Sequence, residues 1–252
     1  MNVIDDILLE LTYACNLRCR HCSSVSIFRE REYMDLLWDR LFSYLDTETN
    51  KNKVKVNQVR VSGGEPTVLG KRALKEILHS IRKLMYFDGK LILQTNGTIY
   101  FEHKYIDEYW ISLYGGGEYH DYITRVKGSF ERTMHTIKTH IEKGHVVVLQ
   151  TPVFDEEQVT EYRRLRNKYP FLEGVPVRLT RLLPHGSARY LDVPLLDEVQ
   201  SQRIAEIFPE PKIITCSITQ KNCNRNRKLT ILPNGKVVDC ASCKRGRDWC
   251  RK

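Results

Sequence analysis

From Asp5 to about Leu183 the chain alternates short apolar runs with stretches of helical period, and this alternation constrains the fold most. "DDILLELT" (Asp5–Thr12) reads as a strand, as does "KVNQVRVSGGEP" (Lys55–Pro66), with Val56, Val59 and Val61 ahead of a Gly-Gly turn. "GKRALKEILHSIRKLMYF" (Gly70–Phe87) places Leu74, Ile77, Leu78, Ile81 and Leu84 on one helical face. "KLILQTNG" (Lys90–Gly97), "YWISLYGGG" (Tyr109–Gly117), "HVVVLQTP" (His145–Pro152) and "VPVRLTRLLP" (Val175–Pro184) supply four further strands. Between them lie helices over Gly128–Gly144, with Ser129 as N-cap and Gly144 past the end, and over Glu156–Tyr169. Strands that alternate with helices form βαβ units and a parallel sheet. Six strands, each ending in glycine or polar residues, predict an α/β partial (β/α)6 parallel barrel with its chemistry at the strands' C-terminal ends.

After a helix at about Leu196–Phe208 the pattern changes. "RKLTILPNGKVVDC" (Arg227–Cys240) sets Pro-Asn-Gly between two alternating runs and reads as a β-hairpin. The expected organisation is a barrel over residues 1–190, a connecting helix over 191–215 and a small cysteine-rich unit over 216–252.

With 252 residues, 41% of them apolar, the chain can bury a full core. The N-terminus "MNVIDDILLELTYAC" lacks the basic and apolar regions of a secretory signal, and no apolar run approaches the roughly 20 residues that cross a bilayer. The expected location is cytoplasmic, with no membrane partner. Thiols stay reduced in the cytosol, so eight cysteines there point to metal ligation over a disulfide framework. The net charge is +9, and ten Lys/Arg against two Asp in Lys221–Lys252 concentrate nearly all of the excess in the last 32 residues.

Three cysteines stand in "LTYACNLRCRHCSS", at Cys15, Cys19 and Cys22, on the loop after the first strand. A closed tetrahedral site wants four ligands, so three imply a partner elsewhere or a vacant position. One reading is a [4Fe–4S] cluster held by three of its irons; the others are a zinc site or three unrelated thiols. Zinc sites usually repeat a C-x2-C pair, which this loop lacks.

The C-x3-C-x2-C segment resembles the signature of radical S-adenosylmethionine (radical SAM) enzymes, in which the residue before the last cysteine is usually aromatic; His21 fills that place. The resemblance continues in order. "SGGEP" (Ser62–Pro66) is similar to the family's GGE motif, which implies that Gly63, Gly64 and Glu65 meet the amino group of SAM. "QTNG", with Thr95 and Asn96, and "ISLYG", with Ser112, match the third and fourth strand ends. "HDYITRVKGSFERT" (His120–Thr133) resembles the segment that follows in members carrying auxiliary clusters. The "RLLPHGSA" segment, with Arg181 and Leu182, resembles the strand six end that helps hold the adenosine, and Gln150 is a further expected SAM contact. The resemblance implies that SAM chelates the fourth iron. One electron, from a reductant such as flavodoxin or ferredoxin, then cleaves it to methionine and a 5′-deoxyadenosyl radical that abstracts hydrogen from the substrate. On that reading three is the functional number of cysteines.

The tail contains C-x11-G-x4-C from Cys223 through Gly235 to Cys240, which resembles the start of SPASM or twitch domains. A full SPASM domain needs seven ligands, and five cysteines remain here, so one auxiliary [4Fe–4S] cluster is expected. Its ligands are Cys216, Cys223, Cys240 and either Cys243 or Cys250. The cysteine left over is a spare thiol or, as Cys243, a hydrogen-atom donor. A zinc knuckle is the competing reading of the tail.

A cluster with four thiolates carries −2, which leaves about six positive charges of the tail for a solvated surface or for an anionic substrate. A nucleotide, a nucleic-acid base or a phosphorylated or sugar metabolite fits that charge, with isomerisation, epimerisation or oxidation as the outcome. Maturation of a ribosomally made peptide is the alternative. The chain reaches Cys15 with no room for an N-terminal recognition extension, so that alternative calls for a separate peptide-recognition protein. A non-catalytic iron–sulfur or zinc nucleic-acid-binding protein is the third. Tyr114, Glu118, His120, Asp121, Gln150 and Arg178 are the candidate substrate-facing residues at strand ends.

Overall fold

The computed structural model describes residues 3–22, 55–84, 89–183, 186–191, 195–215, 218, 228–233 and 237–238. The five tail cysteines, Cys216, Cys223, Cys240, Cys243 and Cys250, lie outside the described residues.

A two-stranded parallel pair, β1 (Val3–Ile4) with β3 (Lys55–Val56), flanks a nine-stranded sheet. The large sheet contains β2 (Asp6–Glu10), β4 (Gln58–Ser62), β5 (Lys90–Thr95), β6 (Glu108–Ser112), β7 (Val146–Val153) and β8 (Val177–Arg181). These are the six strands expected from the sequence, side by side and parallel. Two more parallel strands extend it: β9 (Lys212–Ile214) beside β8, and β10 (Lys228–Ile231) beside β2. The strand β9 falls in the segment read as a connecting helix; three residues are too few to show a period. The expected hairpin is present, since β11 (Val237–Val238) returns antiparallel to β10.

Helices α1 (Lys71–Leu84), α2 (Gly117–Thr124), α3 (Ser129–Glu142), α4 (Glu156–Lys168) and α5 (Glu198–Ile207) join the strands. Side chains alternate across a strand, so one face of the sheet packs on the helices. Ile7, Leu9, Val59, Val61, Leu91, Leu93, Tyr109, Ile111 and Leu149 meet Leu74, Leu78 and Ile81 of α1, Phe130 and Ile137 of α3, and Tyr162 and Leu165 of α4 in one buried core. Each such side chain contributes roughly 1.5–3 kcal/mol.

The residues between them line the other, concave face. Ile92, Trp110 and Val148 form a small apolar patch there. Around it Arg60 is ion-paired with Asp6, Gln94 donates to Gln150 (2.7 Å), and Arg178 donates to the same oxygen of Gln150 (3.1 Å). Both guanidinium groups lie over the Trp110 ring, at 5.6 Å for Arg60 and 4.7 Å for Arg178. The barrel lumen is thus floored by a polar network.

Two local expectations are revised. The strand at Tyr109–Gly117 stops at Ser112, and its glycines lead into α2, which the sequence did not signal. Ser129 is the first residue of α3 rather than its N-cap. The preceding Gly128 adopts φ 74, and the cap is the carboxylate of Asp121 on α2, which accepts from Ser129 Oγ and Phe130 N (both 2.8 Å) and from Gly128 N. A carboxylate reaches the helix's first N–H groups from outside, where a hydroxyl on the first turn cannot.

Candidate active site

Because the six central strands are parallel, their following loops all gather at one end. The loop of residues 11–22 leaves β2 there and is fastened on three sides. Leu11 N donates to Ser62 O (2.8 Å), Gly64 N to Thr12 O (2.6 Å) and Glu65 N to Ala14 O (2.8 Å), so the segment after β4 lies flat against the loop. That approach requires glycine. A Cβ on Gly63, at φ +139, would stand 2.5 Å from Thr12 O, and one on Gly64 would stand 2.3 Å from Ala14 O. On the second side, Arg18 N and Arg20 N donate to Thr124 O and Ile123 O, filling carbonyls left open at the C-terminus of α2. On the third, Ser187 N donates to Cys22 O (2.9 Å).

Glu65 is buried and its carboxylate is saturated by protein donors. Thr67 N, Thr67 Oγ1 and Thr95 Oγ1 bond one oxygen (3.0, 2.7 and 2.7 Å), and Asn96 N bonds the other (2.6 Å). Burial raises its pKa against the pull of these donors. Glu65 therefore locks the end of β5 to the segment after β4. Asn96 carries the link on: its Nδ2 donates to Asn16 Oδ1 (2.8 Å) and approaches Cys15 Sγ (3.9 Å), while Asn16 donates to Thr98 Oγ1 (2.8 Å). Sequence reasoning missed Asn16 and Thr98; the only signal was a polar residue beside each motif.

The three thiols of the loop are half-buried. Burial pushes Cys15 up to about 11 and Cys19 up to about 12, and repulsion within the group adds to both. Three thiols crowded on one loop, with Cys15 and Cys19 held from ionising, suit a cationic centre, which deprotonates its sulfur ligands outright. Among the described residues no three His, Cys, Asp or Glu side chains close on a single ion. A cubane cluster, whose thiolates bind separate irons, requires no such convergence.

His21 packs edge-on to Tyr114 (4.7 Å) and Phe154 (5.3 Å), and Tyr114 stacks on His120 (5.1 Å, 27°). Burial holds His21 at about 3 and His120 at about 4. His120 accepts from Tyr114 N through Nδ1 (3.3 Å) and is fully buried, so it supports the strand end rather than facing the lumen. Gln158 braces the same corner, donating to Tyr114 O (3.3 Å), Thr151 Oγ1 (2.8 Å) and Pro152 O (3.0 Å).

The remaining candidates separate. Ser112 and Arg181 end β6 and β8, half-buried, and Leu182 packs with Tyr114, Phe154 and Ala188. Gln150 and Arg178 lie deeper, in the lumen network. Glu118 lines a cavity of about 730 Å³, beside Arg20, Tyr122 and Asp155. Asp121 caps α3.

The model of the Radical SAM superfamily matches residues 9–168, well over half of the chain. The chain belongs to the radical SAM superfamily. A GTP 3′,8-cyclase of Peptoclostridium acidaminophilum is 24% identical over 94% of this chain and 80% of its own length. A probable GTP 3′,8-cyclase of Saccharolobus solfataricus is 27% identical over 97% and 79%. The mycofactocin maturase MftC of Mycolicibacterium smegmatis is 29% identical over 70% of this chain, which spans 44% of that protein. Among solved structures, Streptococcus suis SuiB bound to S-adenosylmethionine superposes with a TM-score of 0.72 at 16% identity, covering 96% of this chain and 61% of SuiB. The protein is thus a radical SAM enzyme, with an iron–sulfur cluster and SAM as its cofactors and an external reductant. The fold and the order of its strand-end motifs agree with that assignment.

Proposed function

We propose that this radical SAM enzyme acts on an anionic substrate of the nucleotide class. The observation that carries the reading is coverage: two GTP 3′,8-cyclases are similar over 94% and 97% of the chain, whereas the maturase MftC is similar over 70% of it. The +8 carried by Lys221–Lys252 and the guanidinium group of Arg178 in the lumen support it. The cavity beside Glu118 suits an anion less well, because Glu118, Asp155, Glu157 and Glu161 outnumber Arg20 and Arg164 in its wall.

Cys15, Cys19 and Cys22 would hold the [4Fe–4S] cluster, and the backbone of Gly63, Gly64 and Glu65 would meet the amino group of SAM. Thr95, Asn96, Ser112, Gln150, Arg181 and Leu182 would line the rest of its site, with His21 packed beside the cluster. When bound, the open cluster supplies the electron that cleaves SAM to methionine and a 5′-deoxyadenosyl radical. The protein's part is orientation and the exclusion of water. Glu65, Asn16 and Asn96 hold the loop in register with the strand ends, and Tyr114, Phe154 and Leu182 form a dry wall behind it. Cys216, Cys223, Cys240 and either Cys243 or Cys250 would hold an auxiliary [4Fe–4S] cluster around the hairpin of β10 and β11.

Peptide maturation is the second reading, favoured by the 29% identity to MftC. Anaerobically reconstituted enzyme, given SAM, dithionite and either GTP, ATP or no nucleotide, separates the two. A nucleotide substrate raises 5′-deoxyadenosine several-fold over the uncoupled background and is itself consumed. Background turnover with every nucleotide contradicts the proposal.

A further inference from the structure

The polar floor of the lumen is a chain of hydrogen bonds with one direction. Both carboxylate oxygens of Asp6 accept from the Arg60 guanidinium, one of them at 2.7 Å. A guanidinium has no acceptor, so Arg60 also donates, through Nη1, to Gln94 Oε1 (3.4 Å). The Gln94 carboxamide is oriented by that bond, and its Nε2 donates to Gln150 Oε1 (2.7 Å). Arg178, again a donor only, gives Nη1 to the same oxygen (3.1 Å), and its guanidinium rests over the Trp110 ring (4.7 Å). Two donors on one atom, one of them a guanidinium, fix which end of the Gln150 carboxamide is oxygen. The other end, Nε2, then carries two N–H groups, and among the described residues neither meets an acceptor. Gln150 is half-buried, opposite Ser112 in the sheet register, and its Nε2 is not sealed from solvent, so it opens onto the lumen. A carboxamide held from behind by its oxygen presents donors in front.

We propose that Gln150 is a binding residue that gives both N–H groups of its carboxamide to an anionic oxygen of a bound molecule, with Arg60, Gln94 and Arg178 as the positioning residues that hold it in that sense. An anionic oxygen is the fitting partner because a donor is strongest when its acceptor is charged. An ammonium group, which only donates, would leave the two N–H groups unpaired. Two molecules expected in the lumen offer such an oxygen: SAM through its carboxylate, and a nucleotide through its phosphates. The second source rests on the nucleotide reading above; the first does not.

Gln150→Glu is the test, because a carboxylate keeps the oxygen that Gln94 and Arg178 use and replaces the N–H groups with a charged acceptor. Equilibrium dialysis of the anaerobically reconstituted protein against SAM, and separately against GTP, gives the two affinities. A Gln150 that serves only the fold predicts both unchanged. The inference predicts that at least one probe binds roughly tenfold more weakly or worse. Loss with SAM assigns the oxygen to its carboxylate, and loss with GTP assigns it to a phosphate. Unchanged affinity for both overturns the inference. If Gln150→Glu takes up no iron, Gln150→Met, of similar size and without N–H groups, should weaken binding of one probe several-fold, and two unchanged affinities again overturn it. Wild type that binds SAM and no nucleotide contradicts the nucleotide reading alone, and the SAM measurement then decides the role of Gln150.

Discussion

Histidines at two places carry the clearest pH consequence. His120 is stacked on Tyr114, and His140 is stacked on Tyr109 (3.9 Å) with its Nδ1 2.9 Å from His145 Nδ1. Burial holds both rings at about 4, below the roughly 6.5 of the unfolded chain. Their contribution is therefore complete above about pH 6.5. It is lost as the pH falls toward 4, because the unfolded chain binds protons that the native one refuses, at about 1.4 kcal/mol per pH unit for each ring. Asp6 and Asp121, held low by Arg60 and by the α3 N-terminus, add a loss of the same sign at lower pH. Melting temperatures at pH 7, 6 and 5 should fall steadily, and a flat profile contradicts this account. The polarity of His120 and Asp121 was plain in the sequence, but their placement was not. Whether a polar residue after a strand lines the lumen or braces a helix depends on α2, and eight residues around three glycines gave α2 no period to read.

The cysteine loop and the Gly-Gly segment behave as one element. The order of motifs at strand ends was legible because each strand ends in a turn. That Gly63 and Gly64 serve backbone contact was not legible, since it depends on which strands are neighbours. Gly64→Ala sets a methyl 2.3 Å from Ala14 O and 2.6 Å from Tyr13 O, backbone atoms that cannot rotate away. The variant should lose the bonds to Thr12 and Ala14, costing about 1–3 kcal/mol together, and should take up clearly less iron while keeping its helical circular dichroism. Gly144→Ala is the control: its Cβ meets nothing within 4 Å, and only the φ of 74 resists it, for about 1–2 kcal/mol. It should load iron like wild type. Equal iron uptake by both variants contradicts the account.

Taken whole, the molecule is a parallel sheet whose first edge is closed by its last strands. The barrel was readable from alternation, since strand and helix periods differ. The pairing of β10 with β2 was not, because nothing local joins Lys228–Ile231 to Asp6–Leu9 across the length of the chain. Among the described residues no helix is long and apolar enough to cross a membrane. Everything proposed for this enzyme depends on three cysteines holding a cluster that leaves one iron for SAM. The most direct measurement is 5′-deoxyadenosine formation, with iron content, in anaerobically reconstituted wild type and in the Cys15→Ala/Cys19→Ala/Cys22→Ala variant. Wild type should bind about eight irons, in two cubanes, and release 5′-deoxyadenosine with dithionite. The variant should keep about four and release none. Wild type that takes up iron and leaves SAM intact would contradict the central claim.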